Sequence, residues 1–168
     1  MPLLQQAAAK GNAPAMTAIG MLYDSGHGVT QDYKQAMQWY RKAADQDEDT
    51  SMLLIGLLYQ IGEGVPRDYA EAMHWYQKSF THGDDWAAED IGKLYANGQG
   101  VTQDYAQVMQ WYQKGADKND STAMDDIGNL YADGNGIAKN LDTAIIWWKK
   151  AADHGDTNAM TSLIKNGK

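Results

Sequence analysis

The chain has no cysteine, which excludes disulfides, thiol nucleophiles and thiolate metal sites and leaves the redox compartment open. Basic residues are in the minority, 14 Lys and Arg against 22 Asp and Glu, for a formal net charge of −8. They form no cluster. A phosphate backbone would be repelled, so nucleic acid is not an expected partner. A basic region of a protein is favoured, although an acidic balance also simply serves solubility. No apolar run approaches the roughly 18 residues of a membrane-spanning helix, and no basic stretch followed by an apolar segment opens the chain. Phenylalanine occurs once and proline three times, against 10 Tyr, 6 Trp and 17 Gly. The glycines and most of the large aromatics fall at regular places.

That regularity is a repeat. Gly20, Gly56, Gly92 and Gly128 stand 36 residues apart, and so do Trp39, Trp75, Trp111 and Trp147. A fixed period of this length marks a stack of supersecondary units, none of which buries its apolar face alone. Within the first unit Ala15, Met16, Ile19, Leu22 and Tyr23 share one helical face. Pro14 sits in the first turn, which tolerates its missing N–H. Gly20 inside that helix costs up to ~1 kcal/mol relative to Ala, and four copies carry the cost. The expected reason is a second helix passing too close for a Cβ.

Gly26-His27-Gly28-Val29 ends the first helix and turns the chain, with counterparts at Gly62–Val65, Gly98–Val101 and Gly134–Ile137. A phosphate cradle is disfavoured there, because no strand precedes it and the longer glycine fingerprint is missing. Asp32, Asp68, Asp104 and Asn140 are placed to cap a second helix. In that helix Tyr33, Ala36, Met37, Tyr40, Ala43 and Ala44 form the apolar face, with Trp39 beside it. Lys42, Lys78, Lys114 and Lys150 lie near its C-terminus, where a cation complements the dipole. Gly11, Gly83, Gly155 and Asn119 suit a left-handed residue after a helix; Asp47 fits that place poorly.

The pattern A-x3-(I/L)-G-x2-Y-x2-G-x-G-V-x2-D-x3-A-x2-W-Y-x-K-A-A resembles the Sel1-like repeat family, relatives of the tetratricopeptide repeats. Ala15, Ile19, Gly20, Tyr23, Gly26, Gly28, Val29, Asp32, Ala36, Trp39, Tyr40, Lys42, Ala43 and Ala44 carry it, and later copies keep most of these places. Departures include Ser51 and Val108 for Ala, Ser79-Phe80 and Gly115-Ala116 for Ala-Ala, Asn140-Leu141 for Asp-Tyr, and Trp148 for Tyr. The resemblance implies an all-α fold, a right-handed α/α superhelix or solenoid. The expected layout is one solenoid domain over 1–168: a half-repeat at 1–12, full repeats at 13–48, 49–84, 85–120 and 121–156, and a capping helix at 157–168. Family members bind other proteins as adaptors. Many are bacterial and exported, and some are immunity proteins against secreted toxins.

The chain enters in mid-unit, which raises the expectation of upstream sequence, either an export signal or further repeats. A periplasmic or secreted location would follow from a removed signal, and a cytoplasmic one otherwise.

Chemistry finds little support. His27, His74, His82 and His154 occupy different repeat positions, and no zinc-ligand spacing exists. His74, among Met73, Trp75 and Tyr76, reads as an ordinary helix residue. Neither a nucleophile elbow nor a P-loop is present. Acidic pairs such as Asp84-Asp85 and Asp125-Asp126, read as adjacent helical residues, should point apart. No catalytic residue, metal ligand or cofactor is expected, and the chain reads as a non-enzyme.

Partner specificity should lie where the copies differ. The first helices of stacked pairs commonly line a concave surface. Their non-core positions include Thr17, Ala18 and Met21 in the first repeat and Leu53, Leu54, Leu57, Gln60 and Ile61 in the second. The third offers Glu89, Asp90 and Lys93, and the fourth Asp125, Asp126, Asn129 and Asp133. The second repeat is apolar where its neighbours are polar, so Met21, Leu53 and Leu57 make either an exposed interaction patch or buried packing. Trp86 is an outlier, since its counterparts are Pro14, Thr50, Thr122 and Asn158. It reads as a partner anchor or, preferably, as an aromatic cover for Phe80. Asp125, Asp126 and Asp133 suit a basic partner, with a plain solvated face as the favoured account. The candidate partner-binding set is therefore Met21, Leu53, Leu57, Gln60, Trp86, Glu89, Lys93, Asp125 and Asn129. The function expected is a protein- or peptide-binding scaffold. The alternatives are a toxin-neutralising immunity protein and an enzyme-associated or regulatory subunit.

Overall fold

A computed structural model describes residues 1–166, and among them every regular element is helical. The chain forms two compact units, Met1–Ala87 and a second beginning at Ala88. The first holds α1 (Pro2–Ala9), α2 (Ala13–Ser25), α3 (Tyr33–Ala44), α4 (Asp49–Ile61) and α5 (Tyr69–His82). Then come α6 (Ala87–Asn97), α7 (Tyr105–Ala116), α8 (Ser121–Asp133), α9 (Leu141–Asp153) and α10 (Thr157–Asn166). The last two positions of the expected cap lie outside the described residues.

Local chemistry sets the boundaries. Asp32, Asp68 and Asp104 each accept two backbone N–H bonds at the start of α3, α5 and α7, and Asn140 accepts one at α9. Gly26, Gly62 and Gly134 close α2, α4 and α8 in the left-handed conformation. Each turn is then tied back to its own first helix. The N–H of Asp32 donates to the Tyr23 carbonyl at 2.8 Å, and Asp68, Asp104 and Asn140 repeat the bond to Tyr59, Tyr95 and Tyr131. Asp47, an unpromising residue for the place, does adopt φ 60°, alongside Asn119 at φ 67°. Aspartate tolerates this region better than most side chains.

The glycine inside each first helix does face a second helix too close for a Cβ. The nearest group is an aromatic ring of that helix, from the same repeat. A Cβ on Gly20 would lie 2.5 Å from Tyr40 Cε1, on Gly56 2.6 Å from Tyr76 Cδ1, and on Gly128 2.5 Å from Trp148 Cδ1, with Tyr112 equally close over Gly92. Tyr40 and Tyr76 are fully buried, Trp148 and Tyr112 nearly so. Each ring buries a large apolar area and thereby repays the helix cost of glycine.

The polar tip of each ring also needs a partner. Tyr40 donates to Asp24 Oδ2 at 2.9 Å and Tyr76 to Gln60 Oε1, one turn beyond the covered glycine in each case. The third and fourth repeats have Ala96 and Ala132 at that place. The Tyr112 hydroxyl instead faces Asp126 in the following repeat, and Trp148 Nε1 donates to Asn129 Oδ1 at 3.1 Å.

Around these clamps the cores fill in. One cluster in the first unit joins Ala8, Ala15, Met16, Ile19 and Ala43, and another joins Ala36, Met37, Tyr40, Met52, Ile55 and Leu58. The second unit packs Val108, Tyr112, Met124, Ile127, Leu130, Ala144 and Trp148 together. The lysines toward the ends of the second helices have a further role beyond the dipole. Lys42, Lys78, Lys114 and Lys150 lie over the rings of Trp39, Trp75, Trp111 and Trp147, at 4.3, 5.1, 3.6 and 4.2 Å from the centroids. The constant three-residue offset of Trp and Lys was a readable signal for it.

Candidate partner-binding face

In the first unit α2 and α4 are joined near their starts by a polar clasp. Thr17 Oγ1 donates to Glu48 Oε2 at 2.8 Å and lies 2.8 Å from Ser51 Oγ. Glu48 also caps α4 through the Ser51 N–H at 2.7 Å. Thr17 is 4% exposed and Ser51 fully buried. Thr17 therefore leaves the surface set in which its residue type had placed it, and the Ser51 departure is explained by the hydroxyl pair.

Beyond the clasp the same face turns apolar. Met21, Leu57 and Ile61 are 42%, 39% and 47% exposed. Leu54 packs against the core and Leu53 is half-buried, so the two readings of the leucine run divide along it. Gln60 is committed to the Tyr76 hydroxyl. Trp86 is 59% exposed. It forms one wall of a notch of about 380 Å³, together with Asp49, Thr50, Leu53, Asp84 and Asp85. Asp84 and Asp85 lie in the turn between α5 and α6, not on a helix, and both line this notch. Asp84 accepts from the Trp86 N–H at 3.0 Å. Burial raises its proton affinity, and Asp49 and Asp85 add to the effect.

The second unit is different in kind. Glu89 and Lys93 pair across one turn of α6. Burial would lower the Lys93 pKa, but Glu89, with Asp126 and Asp90, outweighs it and raises it. Asp125 is 5% exposed and accepts from Asn129 Nδ2 at 3.0 Å; Asn129 in turn receives the Trp148 indole. Asp126 sits among Glu89, Lys93, Asp125 and the Tyr112 hydroxyl, and burial, reinforced by Glu89, pushes its pKa up to about 6. Asp125 and Asp120 are raised too, chiefly by burial. One oxygen on each of Asp120, Asp125 and Asp126 is buried without a hydrogen-bond partner. The solvated-face account thus holds for exposed Asp133 and fails for Asp125 and Asp126. The repeat register carried the warning: Asp126 takes the place of core-packing Leu54, and Asp125 that of buried Thr17.

Among the described residues no group of three or more His, Cys, Asp or Glu is arranged to hold a metal ion, and no helix is long and apolar enough to cross a membrane. The candidate set therefore falls into two groups that are described separately. Met21, Leu53, Leu57 and Trp86 present apolar surface in the first unit, whereas Glu89, Lys93, Asp125 and Asn129 form a polar network in the second.

Paired antiparallel helices, closed by a doubly glycine-containing turn and clamped by an aromatic over a glycine, define an all-α helical-repeat protein. The chain belongs to the Sel1 repeat family, whose pattern matches residues 13–48, 50–84, 87–120 and 121–156. It is similar to a Sel1 repeat protein of Oxalobacter formigenes, 40% identical with a TM-score of 0.85, over 92% of this chain and 63% of the other. A second likeness is c5321, a protective antigen of uropathogenic Escherichia coli, 34% identical with a TM-score of 0.83, over 93% of this chain and 33% of that one. The chain therefore spans less than two thirds of the length of either. The immunity protein Pa5087 of Pseudomonas aeruginosa shares the fold, with a TM-score of 0.66 at 19% identity, over 94% of this chain and 58% of that one. A comparison with curated proteins finds no match.

Proposed function

We propose that the chain is a non-enzymatic binding scaffold whose first-helix face in the first unit grips a protein or peptide. Sel1 repeat proteins are in general protein–protein interaction scaffolds, and the observation that carries the reading here is the exposure of Met21 and Leu57. They occupy the same repeat position in consecutive first helices, and the Thr17–Ser51 clasp holds those helices side by side. Exposed apolar side chains grouped in this way are favourable to bury and cost little ordering when the backbone beneath is already rigid.

Leu53→Asp combined with Leu57→Asp is expected to abolish capture of the partner while the circular-dichroism melt stays within a few degrees of the parent. Retained binding sinks the reading; a collapsed melt reassigns the leucines to the core. In the second unit the exposed Asp133 is proposed as a secondary contact for a basic partner region, since Asp125 is buried and Glu89 is already paired with Lys93. A single tight partner encoded beside this protein would specify the toxin-neutralising form of the scaffold. Several weaker partners would specify an adaptor or regulatory subunit.

A further inference from the structure

We propose that the notch between the start of α4 and the α5–α6 turn accepts an arginine side chain of the partner. Its guanidinium would lie on Trp86 and face the carboxylates of Asp49, Asp84 and Asp85. The proposal rests on the scaffold reading and assigns a chemistry to one part of its face.

Trp86 is the first observation. Its counterparts in other repeats are Pro14, Thr50, Thr122 and Asn158, so the repeat does not require an aromatic, and this one leaves 59% of its surface in solvent. An exposed indole face beside carboxylates attracts a cation through its quadrupole and through charge together.

The lining is the second. Three of the residues forming the 380 Å³ notch are carboxylates and none is cationic. Asp84 is 8% exposed, held by the Trp86 N–H. Asp49 is fixed by the Thr50 N–H through Oδ1 at 2.6 Å, while its Oδ2 lies over Gly83. Asp84 and Asp49 are thus oriented by backbone before any ligand arrives. Their mutual repulsion, which helps raise the proton affinity of Asp84, is relieved by an incoming cation.

Leu53 is the third. It offers an aliphatic surface for the methylene stem that a long basic side chain lays down behind its charged head. Arginine suits this combination better than lysine. Its planar, weakly hydrated guanidinium stacks on an indole and presents a fork to carboxylates, whereas an ammonium is a strongly hydrated point charge.

The test uses the full chain and the indole N–H resonance of Trp86, identified by its loss in Trp86→Phe. The probes are acetyl-Gly-Arg-Gly-amide and its citrulline counterpart, which has nearly the same shape and no charge. The arginine peptide is expected to shift the Trp86 signal saturably, with a Kd in the millimolar range, and citrulline to bind at least about tenfold more weakly. Raising the salt concentration should weaken the arginine response. Asp85→Asn should weaken it several-fold with an unchanged melt; Asp49→Asn is the second variant if the first loses stability. Equal shifts with citrulline, or no saturable shift up to about 50 mM, overturn the proposal. If the peptide fails while Leu53→Asp with Leu57→Asp still abolishes partner capture, the notch assignment falls and the scaffold reading stands.

Discussion

Replacing Gly92 by Leu is expected to destabilise the second unit by about 3 kcal/mol or more, at the upper end of overpacking effects. The collision is with the ring of Tyr112, which lies nearly buried across the place where a Cβ would stand. That ring has little room to withdraw. Val108, Met124 and Ile127 pack into the same core, and its hydroxyl is engaged by Asp126. A loss of this size should lower the melting temperature by roughly 6–12 °C for a chain of this length. The mechanism can be separated from a general dislike of leucine by a double-mutant cycle. Tyr112→Ala opens a cavity at the same place, so the pair should cost clearly less than the sum of its parts. Strict additivity, or an unaltered melt for Gly92→Leu alone, would contradict the ring-over-glycine account.

The second large effect concerns pH. Folded Asp126 keeps its proton up to about pH 6, whereas the unfolded side chain releases it near 3.8. Between these values the folded chain binds more protons than the unfolded chain. Its contribution to stability is therefore complete below the lower value and is lost as pH rises through the upper one. The ceiling is on the order of 3 kcal/mol from 1.36 kcal/mol per unit of displacement, and solvent reaching the half-buried carboxylate reduces it. Asp120 and Asp125 are raised in the same direction, so the second unit should unfold at a higher urea concentration at pH 5 than at pH 7.5. Asp126→Asn keeps an acceptor for Tyr112 and removes the titration. It should raise stability at pH 7.5 and flatten the profile without abolishing it. An undiminished slope in that variant would assign the pH dependence to other groups.

The repeat scaffold was open to reading because its chemistry is local. A capping aspartate bonds amides two and three residues away, a glycine ends a helix by its own backbone, and the 36-residue interval displays each of them three times, with Asn140 as the fourth cap. The ring above each glycine was less visible. The partner lies 20 residues further on, and an empty Cβ position says that something is close without saying what. At the candidate face the departures from the repeat were informative for Leu57, Met21 and Trp86, because apolar residues absent from the core must be accounted for. They misled at Asp125 and Asp126, where residue type was weighed above register. A carboxylate ordinarily seeks water, but these positions are ones where Thr17 is buried and Leu54 packs against the core. Asp84 and Asp85 were misplaced for a related reason: the turn before α6 shifts them off the helix and toward Trp86.

The way each ring finds its polar partner has a consequence for how such a protein can be rearranged. In the first two repeats the clamp is self-contained, because Tyr40 and Tyr76 bond Asp24 and Gln60 of their own hairpins. With respect to that bond, either hairpin could be copied or moved and carry its acceptor along. The third differs, since its tyrosine hydroxyl faces Asp126 of the fourth. Transplanted alone, the third hairpin would leave that buried hydroxyl without its carboxylate, whereas a tandem duplicate would bring Asp90 to the place of Asp126. Ala96, an unremarkable residue by itself, is what couples the third hairpin to its successor.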